Sequence, residues 1–493
     1  MNCRVIASGW TRFGRRSEGL LDLASAAGRA ALEGIGREPI DLLVVGQMLS
    51  GDGEGVSHLV AHLAERLGLG PAAGWRVDAA SASGAAAFHS AALAVASGRY
   101  ERALVIGVEK MTHLPTAQVT RRLATCLAPV EQAVGATMPG LAALVAQRYL
   151  GRYPGAEAAI AEVTVRARSN AARNPFAQFS SPVSREAVEQ SRWVAPPLRL
   201  LHCAAISDGA AAVVVERGRG PATVAGIGQA FSPPALADRP DSTCFAATRE
   251  AARQALEAAR CSRDQIQVAE IHDAFAPFAL INLEDLGFAE PGQGARYFAP
   301  SGSGPLVHLQ LNPSGGAART GTPRGRIGTG PDRRDRGAAA RGCGNHPVAG
   351  ASPLGTRPVD RRIGGPEFCH DPRRRGGCMS ASDAPDGLEA FACGSCPTLY
   401  LPRPGPCPVC GGTSRTPRRV SAEATVLAAT ELSTPAEGWA APHRIALVEL
   451  MGGIRVLVEW TTDRRPEPGV GVRVEFADGR YRARPAPGPR PEL

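Results

Sequence analysis

The sequence is short of lysine, of aromatic residues and of long apolar runs. Lys110 is the only lysine among 493 residues, and phenylalanine, tryptophan and tyrosine together make up 5% of the chain. Arginine carries the other positive charges, a bias that indicates GC-rich codons rather than a basic surface selected for nucleic acid. No run of about 18 apolar residues occurs, which excludes a membrane-spanning helix. Residues 1–10 lack the charged-then-apolar order of a signal peptide, so we expect a cytoplasmic protein.

The net charge of +9 is concentrated in one segment. Residues 316–378 contain thirteen arginines and five acidic residues, a net charge of +8, so the rest of the chain is nearly neutral. Arg, Gly and Pro dominate this segment, which has neither helical nor strand periodicity and cannot bury enough apolar surface to offset its ordering entropy. We therefore expect an irregular segment at 316–385 and no nucleic-acid partner.

Four of the twelve cysteines form a tight group, and the other eight are scattered, which argues against a disulfide framework. The group consists of two CxxC knuckles with ten residues between them: Cys393, Cys396, Cys407 and Cys410. Each knuckle presents two thiolates from one turn, and together they complete the tetrahedral sulfur shell that structural Zn²⁺ prefers. A redox CxxC is single and opens a helix. Because all four ligands come from the protein, this zinc would have no open position for catalysis.

The stretch Trp75–Met111 predicts a strand, a sharp turn, a small-residue helix and a second, buried strand. The turn reads Ser81-Ala82-Ser83-Gly84, and the following strand is Ala103–Gly107. Free backbone N–H groups and the positive end of the helix dipole stabilise a nucleophile or an anion at such a turn. Ser81 is therefore the first candidate for a functional residue.

Strands and helices alternate over residues 1–220, which predicts an α/β layered unit with parallel strands. Residues 221–315 repeat the strand–helix order weakly, with a predicted strand at Ala222–Ile227, a helix at Ser242–Ala259 and a strand and turn at Val268–Phe275. Residues 386–416 then hold the zinc knuckles, and residues 417–485 contain strand-like runs that predict a small all-β module. We thus expect two halves of one α/β unit, the irregular segment, a zinc ribbon and a β module.

Six motifs carry a resemblance over residues 1–315. They are AlaSerAlaSerGlyAlaAla (80–86), GlyValGluLysMet (107–111), AsnProPheAlaGlnPhe (174–179), SerAspGlyAlaAlaAla (207–212), HisAspAlaPhe (272–275) followed by AsnLeuGluAspLeuGlyPhe (282–288), and AsnProSerGlyGly (312–316). In this order they resemble thiolases of the sterol-carrier-protein type. The resemblance implies a duplicated α/β/α/β/α fold, an assembly that is a homodimer or larger, and a coenzyme A thioester as substrate.

The C-terminal part also resembles a known family. Residues 388–485 are similar to the zinc-ribbon/OB-fold proteins that accompany thiolases, in the knuckles and in the runs 442–450 and 469–476. An OB fold alone would suggest oligonucleotides. Because these strands lack a basic, aromatic face, the resemblance instead implies acyl-CoA binding or docking.

Two departures from the thiolase pattern bear on catalysis. The family places its nucleophilic cysteine at the position of Ser81, and a serine hydroxyl needs an adjacent general base where a thiol does not. The family's base comes from a Gly-His-Pro motif, and here that place reads Gly321-Thr322-Pro323. Residues 321–331 are what GC-rich codons for the family motif would give when read one base out of register. We interpret the segment from about Gly316 to Met379 as a frame disturbance, with a genuine basic linker as the competing interpretation.

Without nucleophile and base, the resemblance favours thiolase-like aldolases over thiolysis. A retro-aldol cleavage of a β-hydroxyacyl-CoA, such as a steroid side chain, needs a base for the hydroxyl and donors for the enolate. His272 is the donor candidate, because the family's residue there lines the oxyanion hole, and Asp273 or Tyr297 would handle the proton. Structural alternatives stay open: a buried histidine, an N-cap at Asp273 and a packing tyrosine. An acyltransferase using Ser81 and a non-catalytic acyl-CoA-binding subunit also stay open.

Two further residues near this site are assigned lesser roles. His89, on the helix after Ser81, is expected to be structural, and Cys126 is a distant second candidate for a thiol near the site.

Overall fold

A computed structural model describes residues 1–36, 38–49, 56–220, 222–298, 309–316, 387–403 and 405–486. The predicted irregular segment beyond Gly316, including Gly321-Thr322-Pro323, lies outside these ranges. Within them, no helix is long and apolar enough to cross a membrane.

The first half is built on one five-stranded sheet with strand order β1-β7-β4-β2-β3. The strands up to residue 220 are β1 (Cys3–Trp10), β2 (Leu42–Gly46), β3 (Ala73–Val77), β4 (Arg102–Glu109), β5 (Trp193–Ala195), β6 (Leu198–Arg199) and β7 (Gly209–Arg217). The helices are α1 (Leu20–Leu32), α2 (Leu59–Leu67), α3 (Ser83–Ala96), α4 (Thr116–Ala124), α5 (Pro129–Ala133), α6 (Met138–Arg152), α7 (Glu157–Ala171) and α8 (Arg185–Gln190). Strands β5 and β6 form a separate short antiparallel pair.

The prediction of parallel strands is right for β2, β3 and β4 and wrong for β7, which runs antiparallel to both β1 and β4. The reason lies in the connection. After β4 the chain forms α4–α8 and re-enters the sheet at the same end, so Gly209 pairs with Glu109. None of these helices returns the chain to the opposite end of the sheet, as a parallel pairing of β4 and β7 would require.

Helices cover both faces of this sheet. The side chains of α1 and α2 share one apolar cluster with Leu43, Val45, Leu104 and Ile106, and α3 shares another with Leu42, Val44 and Val105 on the opposite face. Strands buried on both faces read as continuous apolar runs, which is why β2 and β4 are apolar almost throughout. Gly46 lets α3 approach closely, since a Cβ at this position would lie 2.5 Å from the Ser83 carbonyl oxygen.

One buried ion pair closes the end of the sheet. Lys110 Nζ lies 2.7 Å from Asp208 Oδ2, with side-chain exposures of 5% and 0%. The same carboxylate accepts hydrogen bonds from the backbone N–H groups of Met111, Thr112 and Arg16, at 2.7, 2.8 and 3.2 Å. Burial alone would raise the pKa of Asp208, but the hydrogen bonds from Lys110 and Thr112 outweigh it and hold that pKa below its ordinary value.

The described part of the second half repeats helices and strands in alternation. It contains α9 (Ala246–Ala259), β8 (Val268–Ala269), α10 (Ala276–Asp285), α11 (Gly294–Tyr297) and β9 (Gln310–Leu311). β8 and β9 pair in parallel. The predicted strand Ala222–Ile227 is not a strand, although its backbone runs beside β1 and exchanges hydrogen bonds with Val5 and Cys3. A single bridge, between Arg4 and Thr223, is too short a ladder to make a sixth strand.

The C-terminal part consists of a three-stranded ribbon and a closed five-stranded barrel. The strands are β10 (Leu388–Cys393), β11 (Leu399–Tyr400), β12 (Arg415–Val420), β13 (Glu423–Leu432), β14 (His443–Leu450), β15 (Arg455–Trp460), β16 (Gly471–Ala477) and β17 (Arg480–Pro485). The zinc-ribbon and OB-like architecture predicted from the sequence is confirmed. The pattern missed β17, whose arginine-rich run has little apolar alternation.

The barrel packs directly on α6. One apolar cluster joins Leu144 of this helix to Ile445, Leu447 and Leu457 of the barrel. Gly140 makes the close approach possible, since a Cβ there would lie 2.8 Å from a methyl carbon of Leu432. The two parts of the chain therefore share a continuous core.

Polar contacts fix the orientation of the barrel on that core. The Ala429 N–H donates to Gln147 Oε1 at 2.7 Å, beside the bulge of β13. The Thr430 hydroxyl donates to the Pro196 carbonyl at 2.9 Å, and His443 Nε2 lies 2.7 Å from the Val134 carbonyl oxygen. Burial lowers the pKa of His443, and the hydrogen bond with the Val134 carbonyl opposes this shift.

Replacing Asp208→Asn should destabilise the protein by about 3–5 kcal/mol, because it leaves Lys110 buried without its counter-ion. Denaturant unfolding at pH 7 measures this loss. The folded pKa of Asp208 is lower than its unfolded value of about 4, so its contribution is complete above that pH and disappears as the pH falls further. The variant should therefore lose stability less steeply than the wild type below about pH 4.

Glu101→Gln is the matched control, because it removes an exposed ion pair with Arg217 beside the same sheet. This change should cost less than about 1 kcal/mol. Equal losses from the two substitutions would contradict a special role for the buried pair.

Candidate active site and metal centre

Ser81 lies in a tight turn between β3 and α3. Residues Ala80–Ala82 form a single 3₁₀ turn, and Ala80 adopts a left-handed backbone conformation with φ of +48°. Ser83 holds the turn from inside: its hydroxyl accepts from the Ala79 N–H at 2.9 Å and donates to the Ala80 carbonyl at 2.7 Å. Asp78 accepts the Ala80 N–H at 2.9 Å. The partly exposed Ser81 side chain is thereby presented at the N-terminal end of the helix.

The surrounding loops are tied together by a buried glutamate. Glu109, the last residue of β4, accepts the N–H groups of Met48 and Leu49 through one carboxylate oxygen, at 3.0 and 3.2 Å. These residues follow β2, the neighbouring parallel strand. Ser81 follows β3, so the loop ends of all three parallel strands meet at one edge of the sheet. Ligands bind at this carboxyl edge in α/β sheets.

His272 and Asp273 occupy very different surroundings although they are neighbours in sequence. The His272 side chain is exposed, and its carbonyl accepts the Asn282 side-chain amide at 2.8 Å. Asp273 is only 1% exposed and receives the Asn312 amide at 3.2 Å. Asp273 is not the N-cap of α10; that position belongs to Phe275, which makes no side-chain cap. The N-cap alternative for Asp273 is therefore wrong.

Asn312 joins the AsnProSerGlyGly loop to the HisAspAlaPhe turn. Its side-chain oxygen accepts the Ile271 N–H at 2.7 Å, and its backbone is left-handed with φ of +46°. Two asparagines of the first half hold the same loop: Asn170 donates to the Asn312 carbonyl and Asn174 to the Ser314 carbonyl, both at 3.0 Å. These asparagines belong to the segment that includes the AsnProPheAlaGlnPhe motif, so the sequence motifs of the two halves meet here.

Tyr297 is tied to the backbone of the β9 segment. Its hydroxyl donates to the Leu309 carbonyl at 2.7 Å and accepts the Leu311 N–H at 3.2 Å. The Arg166 guanidinium lies 5.0 Å from the centre of its ring. The tyrosine also lines a small cavity of about 270 Å³ with Phe288 and Arg296. Because both hydrogen-bonding capacities of the hydroxyl are used, packing is its better supported role.

Two residues named by the sequence remain, His89 and Cys126. His89 lies within α3; burial lowers its pKa and the hydrogen bond with Gln229 opposes this shift, which fits the structural role predicted for it. Cys126 is exposed after α4. Ser81 belongs to the first half, whereas His272, Asp273 and Tyr297 all belong to the second.

The four ribbon cysteines converge as predicted. All four Sγ atoms lie within 4.8 Å of one another. Cys393 Sγ is 3.6 Å from Cys410 Sγ, and Cys396 Sγ is 3.7 Å from Cys407 Sγ. A tetrahedral site with Zn–S bonds of about 2.3 Å has sulfur–sulfur edges of about 3.8 Å. The residues therefore fit a structural zinc ion. Each of the two short sulfur–sulfur distances joins a cysteine of the first knuckle to a cysteine of the second.

Hydrogen bonds lower the pKa of Cys393 and Cys396 and favour their thiolate forms, whereas the neighbouring thiols raise the pKa of Cys410. The Ser395 N–H donates to Cys393 Sγ at 3.3 Å and lowers the pKa of that thiol. Cys396 Sγ lies 3.1 Å from Thr398 Oγ1, and this hydrogen bond lowers its pKa to about 6. Deprotonated cysteines are the form that binds metal.

Comparison with known proteins decides the family. The family model of the thiolase N-terminal domain matches residues 3–218, and that of the thiolase C-terminal domain matches residues 228–327. An acetyl-CoA acetyltransferase of Methanothermobacter thermautotrophicus is 38% identical over 335 residues, 66% of this chain and 87% of that protein. The chain belongs to the thiolase family.

Two further similarities are to aldolases. A steroid side-chain-cleaving aldolase of Thermomonospora curvata is 31% identical over 186 residues, 35% of this chain and 48% of that protein. The solved structure of an Ltp2-ChsH2(DUF35) aldolase shares the fold, with a TM-score of 0.55 at 24% identity over 65% of this chain and 85% of that one.

Several residues that shape this thiolase site are not among the predicted site residues, although Ser83, Glu109 and Asn312 lie within the quoted motifs. Asp78 and Ser83 build the turn, Glu109 ties the loops, and Asn312 joins the two halves. The sequence offers a signal for Asp78, Glu109 and Asn312, because each is a polar residue at the end of an apolar run. Most of the partners are backbone groups, and Asn312 also donates to the Asp273 carboxylate; no sequence pattern reveals these contacts.

Replacing Cys393→Ser should release the metal and unfold the ribbon, because structural zinc supplies much of the folding free energy of such modules. Zinc per chain, measured by plasma mass spectrometry, should fall from one to none, and the thermal transition of the C-terminal part should move down. Cys126→Ser is the control, since that thiol is exposed and far from the cluster in sequence. Retention of zinc with an unchanged transition would overturn the assignment.

Proposed function

We propose that this thiolase-family protein cleaves a carbon–carbon bond of an acyl-CoA thioester by a retro-aldol reaction, without a covalent acyl-enzyme. A β-hydroxyacyl-CoA, such as a steroid side-chain thioester, is the substrate, with coenzyme A as part of it. The supporting observation is the state of Ser81. Among the residues that the structure describes, none forms a hydrogen bond with its hydroxyl, so none of them is positioned as a general base to activate it.

The reaction needs only a base and an enolate-stabilising donor. The base removes the proton of the β-hydroxyl, and the electron pair of the Cα–Cβ bond moves onto the thioester as an enolate. An aldehyde or ketone leaves, and protonation at Cα gives the shortened acyl-CoA. His272 is exposed next to the buried loop junction and is assigned the donor role toward the enolate oxygen.

Asp273 and Tyr297 compete for the proton-transfer role. Asp273 is buried against Asn312, and the Tyr297 hydroxyl is engaged with the β9 backbone. Asp273 is the better candidate of the two, because a carboxylate can exchange a proton while it still accepts one hydrogen bond.

Acyl transfer is the second candidate function. The 38% identity with an acetyl-CoA acetyltransferase favours it. In that case a histidine base would have to come from the region where the chain reads Gly321-Thr322-Pro323, outside the described residues. Resequencing the gene across residues 316–379 distinguishes a frame disturbance from a basic linker: a single-base correction should restore Gly-His-Pro. A non-catalytic acyl-CoA-binding subunit is the outcome if neither chemistry occurs.

The zinc ribbon and barrel serve the thiolase body as a docked accessory module in this proposal. Structural zinc bound by the four cysteines holds the ribbon together, and the barrel packs against α6 of the thiolase body. A homodimer or larger assembly and a cytoplasmic location stay predictions from the resemblance.

Mass spectrometry of two incubations tests the proposal. One contains a β-hydroxyacyl-CoA, and the other a β-ketoacyl-CoA with free coenzyme A. We expect a carbonyl product and a shortened acyl-CoA from the first alone. Ser81→Ala should retain this cleavage, whereas His272→Ala should lower the rate by about 10²–10³-fold, the usual cost of one oxyanion donor.

Ser97→Ala, at the exposed end of α3, is the control for the serine change. Thiolysis of the β-ketoacyl-CoA that Ser81→Ala abolishes would establish acyl transfer instead. Binding of both CoA esters without turnover would identify a scaffold subunit.

A further inference from the structure

The loop between the two cysteine knuckles makes its own polar contact with the thiolase body, in addition to the barrel's apolar contact with α6. Arg403, in this loop, forms an ion pair with Asp238. Asp238 ends the 3₁₀ turn Leu236–Asp238, which lies in the segment between β7 and α9, called the linker below. The side chains are 29% and 20% exposed, so solvent screens this pair less than a pair on the open surface.

The loop is held rigidly at both ends. Its flanking residues are the predicted zinc ligands Cys396 and Cys407, and Leu399–Tyr400 pairs with β10. From the side, the Arg415 guanidinium donates to the Arg403 carbonyl at 3.2 Å and stacks 4.4 Å from the centre of the Phe391 ring. The backbone that carries Arg403 is therefore positioned by the cysteine cluster and its immediate neighbours.

The linker turn, Leu236–Asp238, is also attached to the thiolase body by a hydrogen bond and by apolar packing. The Leu236 N–H donates to Glu131 Oε1 at 2.7 Å, and Leu236 is buried in the same cluster as Leu144 of α6. The barrel also reaches this linker, because Arg455 Nη2 lies 3.3 Å from the Pro240 carbonyl oxygen. The linker is thus contacted twice, once through the ribbon and once through the barrel.

We propose that the loop between the cysteine knuckles is a metal-shaped clamp on the linker of the thiolase body, with the Arg403–Asp238 ion pair as its contact. Zinc at the four cysteines then does more than fold the ribbon: it sets the position from which Arg403 holds the linker. Loss of zinc frees the linker turn, whereas the Arg455 contact and the α6 interface keep the barrel docked. The inference rests on the zinc assignment made above and not on the reaction.

Hydrogen exchange of the full chain, read by mass spectrometry on the peptide spanning residues 233–241, tests this clamp. The amides of Leu236, Asp238 and Arg239 all donate within the turn or to Glu131 and report its opening. With zinc bound, Arg403→Ala should speed exchange of this peptide about threefold to tenfold, as expected for one partly buried ion pair. The zinc content should stay unchanged, and the double variant Arg403→Asp/Asp238→Arg should restore slow exchange.

Arg418→Ala is the matched control, because Arg418 is an exposed arginine of the same ribbon. Chelation of zinc should speed hydrogen exchange of the 233–241 peptide in the wild type and in Arg455→Ala. In Arg403→Ala it should cause little further increase in the exchange rate. A peptide covering residues 428–433 reports separately whether the barrel stays docked.

Two results would overturn the clamp. One is unchanged exchange at 233–241 in zinc-loaded Arg403→Ala, and the other is an equal further response of Arg403→Ala and wild type to chelation. Absence of zinc in the purified wild type would instead contradict the metal assignment, so the two failures are distinguishable.

Discussion

The buried carboxylate of Asp208 is the constraint on which the arrangement of the first half depends. It collects a lysine side chain and backbone N–H groups from loops near β1 and after β4, and it stands immediately before β7. An anion with no exposure is tolerated there only because nearly every lone pair is satisfied. Through β7 the same residue fixes where the chain re-enters the sheet after the α4–α8 insertion. The edge that carries the Ser81 turn is therefore held by electrostatics, while the faces of the sheet are held by apolar packing.

The sequence predicts well those elements whose stabilisation is local or periodic. Strand β4 and helix α9 differ from the predicted Ala103–Gly107 and Ser242–Ala259 by four residues or fewer at their ends, because their patterns extend over most of their length. The direction of β7 and the failure of Ala222–Ile227 to become a strand depend on what lies beside them in space, which periodicity does not record. The sequence does not predict the docking of the barrel on α6 for the same reason. The apolar residues of β14 that contact the helix are equally consistent with the barrel's own core.

The two candidate sites also differ in how fully the sequence predicts them. The cysteine cluster was predicted completely, because metal ligation imposes a spacing on the sequence itself. At the other site the sequence named His272 and Asp273 as neighbours, whereas folding separates them: one side chain is exposed and the other is buried against Asn312. Tyr297 was proposed as an acid or base, but its hydroxyl is committed to the Leu309 carbonyl. Type and spacing of residues indicate chemistry, and only the three-dimensional contacts show which groups are still available for it.

The burial of Lys110 has a consequence for a protein that handles thioesters. Acyl-CoA esters are electrophiles, and an unprotonated lysine amine at a protein surface is the group they modify most readily without a catalyst. Here the only lysine side chain lies against Asp208, and 5% of it is accessible. A lysine buried in this way is poorly accessible to a thioester in solution, and arginine, which keeps its charge and reacts poorly with thioesters, supplies the other strongly basic side chains.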